Sequence, residues 1–77
     1  MTIIIIGTKG CRPCERLRAA LEANGTPFTY YDCDEPDGWR ILQDHGISIE
    51  EGFYPVVIKD GMVLPPMTKD NYLRSLR

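Results

Sequence analysis

Two cysteines with two residues between them, Cys11 and Cys14, lie where an apolar strand gives way to a helix. The run Ile3 to Ile6 before them is β-branched and apolar on both faces, which predicts a buried strand in a parallel pairing. The helix after them ends at Asn24-Gly25, a typical left-handed stop. A C-x-x-C pair at such a junction can be a redox dithiol, half of a metal site, or two thiols without a function.

Size, charge and cysteine content narrow these choices. The 77 residues predict one domain, residues 1–77, and the net charge of −2 gives no reason to expect nucleic acid or a membrane surface as a partner. The longest apolar run is too short to cross a bilayer and has no signal-peptide features, so we expect a cytoplasmic protein. Three cysteines, an odd number, fit poorly with a secreted disulfide framework. In a reducing compartment a C-x-x-C pair is more often catalytic or metal-binding than structural.

The rest of the chain predicts alternating strands and helices. Asp60-Gly61 is a strong hairpin signal, and Thr68 can cap the start of a last helix. The order βαβ–α–ββα predicts an α/β protein, with a four-stranded mixed sheet and three flanking helices. The predicted strands are at 2–6, 27–33, 54–58 and 62–64, with a loop at 7–10 after the first strand. The predicted helices are at 11–23 and 69–76, and a short third helix starts in the turn 34–38, carries Trp39, Ile41 and Leu42, and ends at Gly46.

This order, the C-x-x-C pair after the first strand and the Tyr54-Pro55-Val56 junction before the third strand resemble the glutaredoxins, within the thioredoxin-like fold. The resemblance covers essentially the whole chain. It implies a dithiol–disulfide oxidoreductase that uses glutathione as co-substrate and holds no bound cofactor or metal. The implied partners are glutathione and disulfide-containing proteins, with ribonucleotide reductase as a family-level candidate. A monomer is expected for such a small domain.

The helix start assigns different roles to the two cysteines. Unpaired N–H groups and the helix dipole favour a thiolate at Cys11, the form that attacks disulfides. Cys14 lies one turn further in, so its sulfur should be less exposed and should resolve the mixed disulfide. Lys9 and Arg12 add positive charge near Cys11. Pro13 suits the first helical turn, where its missing N–H costs nothing.

The resemblance also implies a set of contacts to substrate and glutathione. Tyr54–Pro55 would be a cis peptide bond beside the dithiol, with the Tyr54 backbone holding a substrate chain. Lys9 would hold a glutathione carboxylate, and the start of the last helix would bind the γ-glutamyl end. A solvated loop lysine and a plain helix cap are the alternatives at Lys9 and Thr68. The implied contact residues are Lys9, Arg12, Pro13, Tyr54, Pro55, Thr68 and Lys69.

Two departures from the glutaredoxin pattern keep other functions open. Pro65-Pro66 stands where the family has Gly-Gly, which removes a backbone N–H at each position near bound glutathione. Arg12-Pro13, between the cysteines, is more similar to thioredoxins. One alternative is therefore a glutaredoxin-like hydrogen donor that thioredoxin reductase recharges. Another is a non-catalytic binding module that docks a partner around Phe53, Tyr54 and Pro66.

We expect structural roles for the remaining cysteine, histidine and aromatic residues that the sequence offers as candidates. Cys33 and His45 lack the paired spacing of a zinc site, so we interpret Cys33 as a core or rim thiol and His45 as a surface residue. We interpret Trp39 and Tyr30 as packing residues.

Overall fold

A computed structural model describes residues 2–47, 55–65 and 67–76 of the chain. Within these residues it contains the predicted α/β order, with a four-stranded mixed sheet and three helices. The elements are β1 (Ile3–Gly7), α1 (Arg12–Ala23), β2 (Thr29–Asp32), α2 (Pro36–Asp44), β3 (Val56–Lys59), β4 (Met62–Val63) and α3 (Lys69–Ser75).

The isoleucine run forms the middle of the sheet. The strand order is β2-β1-β3-β4, in which β1 pairs parallel to β2 and antiparallel to β3. Ile5 and Ile6 are fully buried on opposite faces of the sheet. Ile5 packs in one cluster with Leu17 and Leu21 of α1 and Tyr72 of α3, whereas Ile6 packs in a second cluster with Leu42 of α2. Burial on both faces explains why this strand shows no polar alternation.

The register places the dithiol, the start of β3 and the start of α3 at one end of the sheet. Ile6, near the end of β1, pairs with Val56 at the start of β3. The β3–β4 hairpin turns at Asp60 and Gly61, which both have positive φ, as the sequence predicts. The chain then returns along β4 to the dithiol end, where α3 begins. The end of β1, which leads to the dithiol, and the start of β3 therefore lie at the same end of the sheet.

Helix α2 agrees with the sequence prediction in its start but not in the burial of Trp39. The helix begins at Pro36, within the turn 34–38 that was predicted to start it, because proline is well suited to the first helical position. Gly38 is needed there, since a Cβ at this position would collide with the Asp32 carbonyl at the end of β2. The interpretation of Trp39 as a packing residue is wrong: the side chain is 51% exposed, and Leu42 fills the core on this helix instead.

None of the helices in the described part of the chain combines the length and apolar character needed to cross a membrane.

Candidate active site: the Cys11–Cys14 dithiol

Cys11 occupies the N-cap of α1. Its backbone is extended, with φ −84° and ψ 102°, and its sulfur accepts a hydrogen bond from the backbone N–H of Cys14 at 3.2 Å. Arg12 and Pro13 are the first two residues of the helix, as predicted. The first-turn N–H groups of a helix have no intrahelical acceptor, and here the Cys14 N–H donates its hydrogen bond to Cys11 Sγ instead. The same hydrogen bond would stabilise a thiolate at Cys11 in the reduced protein.

The two cysteines form a disulfide and differ in exposure. Their Cα atoms lie 5.3 Å apart, a separation typical of disulfides. Cys14 is fully buried at 0% exposure, whereas Cys11 remains partly exposed at the helix start. An incoming molecule can therefore reach the Cys11 sulfur more easily than the Cys14 sulfur. This is the asymmetry that the sequence predicts for an attacking and a resolving thiol.

The charged residues nearest the dithiol are exposed. Lys9 lies in the turn between β1 and α1, and Arg12 lies in the first turn of α1. Glu15 is the acidic residue of that turn. Both cations are therefore exposed and lie within two residues of Cys11 in the chain. The part of Lys9 and Arg12 in glutathione binding stays a prediction.

Pro55 lies at the dithiol end of the sheet. It is buried and directly precedes Val56, the residue that pairs with Ile6. The hydroxyl of Tyr72 in α3 donates a hydrogen bond to the Pro55 carbonyl at 3.5 Å. This hydrogen bond joins α3 to the residue that precedes β3. Tyr54 lies outside the described residues, and so do the predicted cis Tyr54–Pro55 bond and the backbone contact to substrate.

Thr68 caps α3, as predicted. Its hydroxyl accepts a hydrogen bond from the Asn71 backbone N–H at 3.3 Å, and Lys69 is the exposed first residue of the helix. The cap fully accounts for threonine at this position, while the predicted glutathione contacts of Thr68 and Lys69 remain predictions. Pro65 is exposed just after β4. Pro66 and Phe53, two residues of the predicted docking surface, lie outside the described residues.

Gly7 and Tyr30 are neighbours of the dithiol that the sequence analysis did not identify. Gly7 was predicted to be part of a loop, but it is the buried last residue of β1. A Cβ on Gly7 would collide with the Tyr30 hydroxyl, would lie 2.8 Å from Tyr30 Cζ and would lie 3.1 Å from Cys14 Cβ. The phenol of Tyr30 thus ends beside the Cys14 side chain. The alternation of Ile3, Ile5 and Gly7 on one strand face was the available signal.

The surroundings of Tyr30 make its ionised form unfavourable. Desolvation by burial raises the pKa of the Tyr30 hydroxyl, and the carboxylates of Asp32 and Glu15 raise it further. The Arg18 guanidinium lowers this pKa, and it stacks on the Tyr30 ring at 4.8 Å from the centroid. At neutral pH the phenol is therefore a protonated hydrogen-bond donor.

The third cysteine, Cys33, lies apart from the disulfide pair. Its backbone N–H donates to the Gly7 carbonyl at 2.8 Å, and its sulfur groups with the carboxylates of Asp32 and Asp34 within 4.8 Å. Within residues 2–47, 55–65 and 67–76 this is the one group of three such ligands. It shares no residue with the Cys11–Cys14 disulfide.

The sheet order, the three helices and the disulfide at the first helix start together define a thioredoxin-like fold with a redox-capable cysteine pair. The thioredoxin-like protein BC3987 is similar to this chain, with a TM-score of 0.73 and 23% sequence identity over 99% of this chain and 100% of that one. A T8A mutant of BC3987 gives a TM-score of 0.74 at 23% identity, with 97% of each chain covered. No family model and no curated protein matches the sequence.

Proposed function

We propose that this protein is a thiol–disulfide oxidoreductase of the glutaredoxin type, which reduces protein disulfides and mixed disulfides of glutathione. One observation carries the proposal: the sulfur of Cys11 caps a helix and accepts the Cys14 N–H, while Cys14 lies fully buried behind it. A helix N-terminus favours the thiolate that disulfide exchange requires. A buried second thiol is close enough to complete the exchange.

The reaction proceeds in two exchanges. The Cys11 thiolate attacks one sulfur of the substrate disulfide, forms a mixed disulfide, and releases the other substrate sulfur as a thiolate that takes a proton from water. Cys14 then loses its proton and attacks the Cys11 sulfur. The Cys11–Cys14 bond forms, the bond from Cys11 to substrate breaks, and the second substrate thiol leaves. The substrate gains two electrons and two protons, which the protein dithiol loses.

Glutathione is the proposed reductant of the resulting disulfide. Two glutathione thiols would supply the two electrons and leave as oxidised glutathione. Lys9 at the rim and the start of α3 at Thr68 and Lys69 are the proposed glutathione contacts, and all three residues are exposed. Disulfide-containing proteins, with ribonucleotide reductase as a candidate, are the proposed targets, and the proposed location is the cytoplasm.

A second electron donor is favoured by a specific feature. Pro65, exposed after β4, cannot offer a backbone N–H to a bound peptide. Arg12-Pro13 between the cysteines also departs from the glutaredoxin pattern. Thioredoxin reductase is therefore the alternative donor. A reduction potential near the ~−270 mV of thioredoxin would support this alternative, whereas a value of about −200 to −230 mV would support glutathione.

The test compares two coupled assays that follow NADPH consumption with a small glutathione mixed disulfide as substrate. One assay contains glutathione and glutathione reductase, and the other contains thioredoxin reductase. We expect turnover in the first assay, its loss in Cys11→Ser, and its retention in Cys33→Ser, the matched control for the cysteine outside the pair. Turnover in the second assay alone would assign the donor to thioredoxin reductase. Activity that survives in Cys11→Ser would refute the proposed chemistry.

A further inference from the structure

The end of the Tyr30 side chain occupies the space that a side chain on Gly7 would fill. Tyr30 pairs with Ile5 across β1 and β2, and its ring extends along the sheet toward the dithiol. Tyr30 Cζ and Cys14 Cβ lie 2.8 Å and 3.1 Å from the same point, the position of a Cβ on Gly7. The absence of a side chain at Gly7 is therefore what lets the phenol reach the buried cysteine.

In the second exchange Cys14 must attack as a thiolate, so this step depends on how well the thiolate of Cys14 is stabilised. Cys14 is fully buried, and burial disfavours the thiolate form that must attack. The other tyrosine described on this face of the sheet is Tyr72, and its hydroxyl donates a hydrogen bond to the Pro55 carbonyl. Among the described residues, the Tyr30 hydroxyl has no comparable protein acceptor. In the oxidised protein the Cys14 sulfur is bonded to Cys11. Reduction makes it a hydrogen-bond acceptor on a side chain whose Cβ borders the space that the phenol fills.

We propose that in the reduced protein the Tyr30 hydroxyl donates a hydrogen bond to the Cys14 sulfur and stabilises the thiolate that resolves the mixed disulfide. The inference rests on the proposed oxidoreductase function. The proton of Tyr30 stays on the phenol; Cys14 gives its own proton to water before it attacks Cys11. Arg18 stacks on the Tyr30 ring at 4.8 Å and keeps the phenol in place.

The expected effect changes sign with pH. A hydrogen bond to a charged group shifts the equilibrium toward the charged form about tenfold or more. Without this bond the Cys14 thiolate is about tenfold scarcer at neutral pH, but each thiolate is about threefold more nucleophilic, since nucleophilicity follows basicity with a coefficient near 0.5. Tyr30→Phe should therefore slow the resolving step about threefold at neutral pH and speed it about threefold at alkaline pH. A purely structural role of Tyr30 would slow the step at every pH.

The test uses the reduced protein and one equivalent of Ellman's reagent, which releases a coloured thiol twice. The first release reports the attack by Cys11, and the second reports resolution by Cys14. Both phases are followed by stopped flow over a pH series in wild type, Tyr30→Phe and Tyr31→Phe. Tyr31 is the matched control because it packs on the opposite face of the sheet. The titrating and charged groups facing Tyr30 are the same in all three proteins: Arg18 and Glu15 from α1, and Asp32 and Cys33 from β2 and the residue after it.

The expected result is a second phase in Tyr30→Phe whose pH profile crosses that of wild type, with an unchanged first phase and a normal Tyr31→Phe profile. A second phase equal to wild type at all pH values would overturn the inference. Equal slowing of both phases would also overturn it, because that pattern reports a general disturbance of the dithiol. If wild type itself shows no rapid first phase, the proposed function fails, and this inference fails with it.

Discussion

Replacing Gly7 by alanine tests the close contact beneath the dithiol. Gly7 does not have a positive φ, so alanine is compatible with its backbone, and in open space the change would stabilise the protein by about 0.4–1 kcal/mol. Here the new Cβ would collide with the Tyr30 hydroxyl and crowd Cys14 Cβ. Overpacking of this kind costs about 1–3 kcal/mol. We therefore expect Gly7→Ala to lower the free energy of unfolding, in the opposite direction from an unobstructed site.

Urea unfolding of the oxidised protein, followed by far-ultraviolet circular dichroism, measures this cost. In a Tyr30→Phe background the clash with the hydroxyl is gone while Cζ still crowds the site, so the cost of Gly7→Ala should fall by about 1 kcal/mol. Gly38→Ala is the matched control, because its Cβ would strike the backbone carbonyl of Asp32 and its cost should not depend on Tyr30. A stabilising Gly7→Ala, or equal costs in both backgrounds, would show that the phenol does not occupy this space.

Three further predictions concern stability. Leu42→Ala should lower the free energy of unfolding by about 2–5 kcal/mol, because Leu42 is fully buried; a change below 1 kcal/mol in urea unfolding would contradict the α2 contact. Thr68→Ala should cost about 1 kcal/mol through loss of the α3 cap, and Thr68→Ser should restore most of it. Burial raises the pKa of Tyr72, so the folded protein holds the Tyr72 proton more tightly than the unfolded chain does. The contribution of this group to the free energy of unfolding should be fully present below pH 10 and fall above it. The alkaline loss should be smaller in Tyr72→Phe, and an unchanged slope would argue against this burial.

The features that could be predicted from the sequence are those set by local chemistry. The isoleucine run is β-branched and apolar throughout, so its burial in the sheet centre follows from composition alone. Pro13 at the second position of α1 and the positive φ of Gly25 after it follow from the conformations these residues favour. The same reasoning places Cys11 at the helix start, and the structure has Cys11 at that position. The attacking and resolving roles assigned from this position stay a prediction.

The features that could not be predicted depend on register between distant segments. Tyr30 and Cys14 both border the space next to Gly7 because Ile5 pairs with Tyr30 and because α1 packs on that face of the sheet. A single-residue shift of β2 would turn the phenol to the other face, and local sequence carries no record of that choice. Trp39 was misjudged for a related reason. Its large apolar side chain favours burial in general, but the buried face of α2 is set by where Leu42 meets Ile6.

Trapping the mixed disulfide shows which cysteine attacks the substrate and which one resolves the intermediate. Reduced Cys14→Ser and Cys11→Ser variants are each mixed with a peptide disulfide, and intact-mass spectrometry with peptide mapping locates the adduct. If Cys11 attacks and Cys14 resolves, Cys14→Ser gives a stable adduct on Cys11, because the resolving thiol is gone. Cys11→Ser then gives little adduct, because Cys14 is buried. Rapid adduct formation on Cys14, or on Cys33 in preference to Cys11, would contradict this assignment of roles.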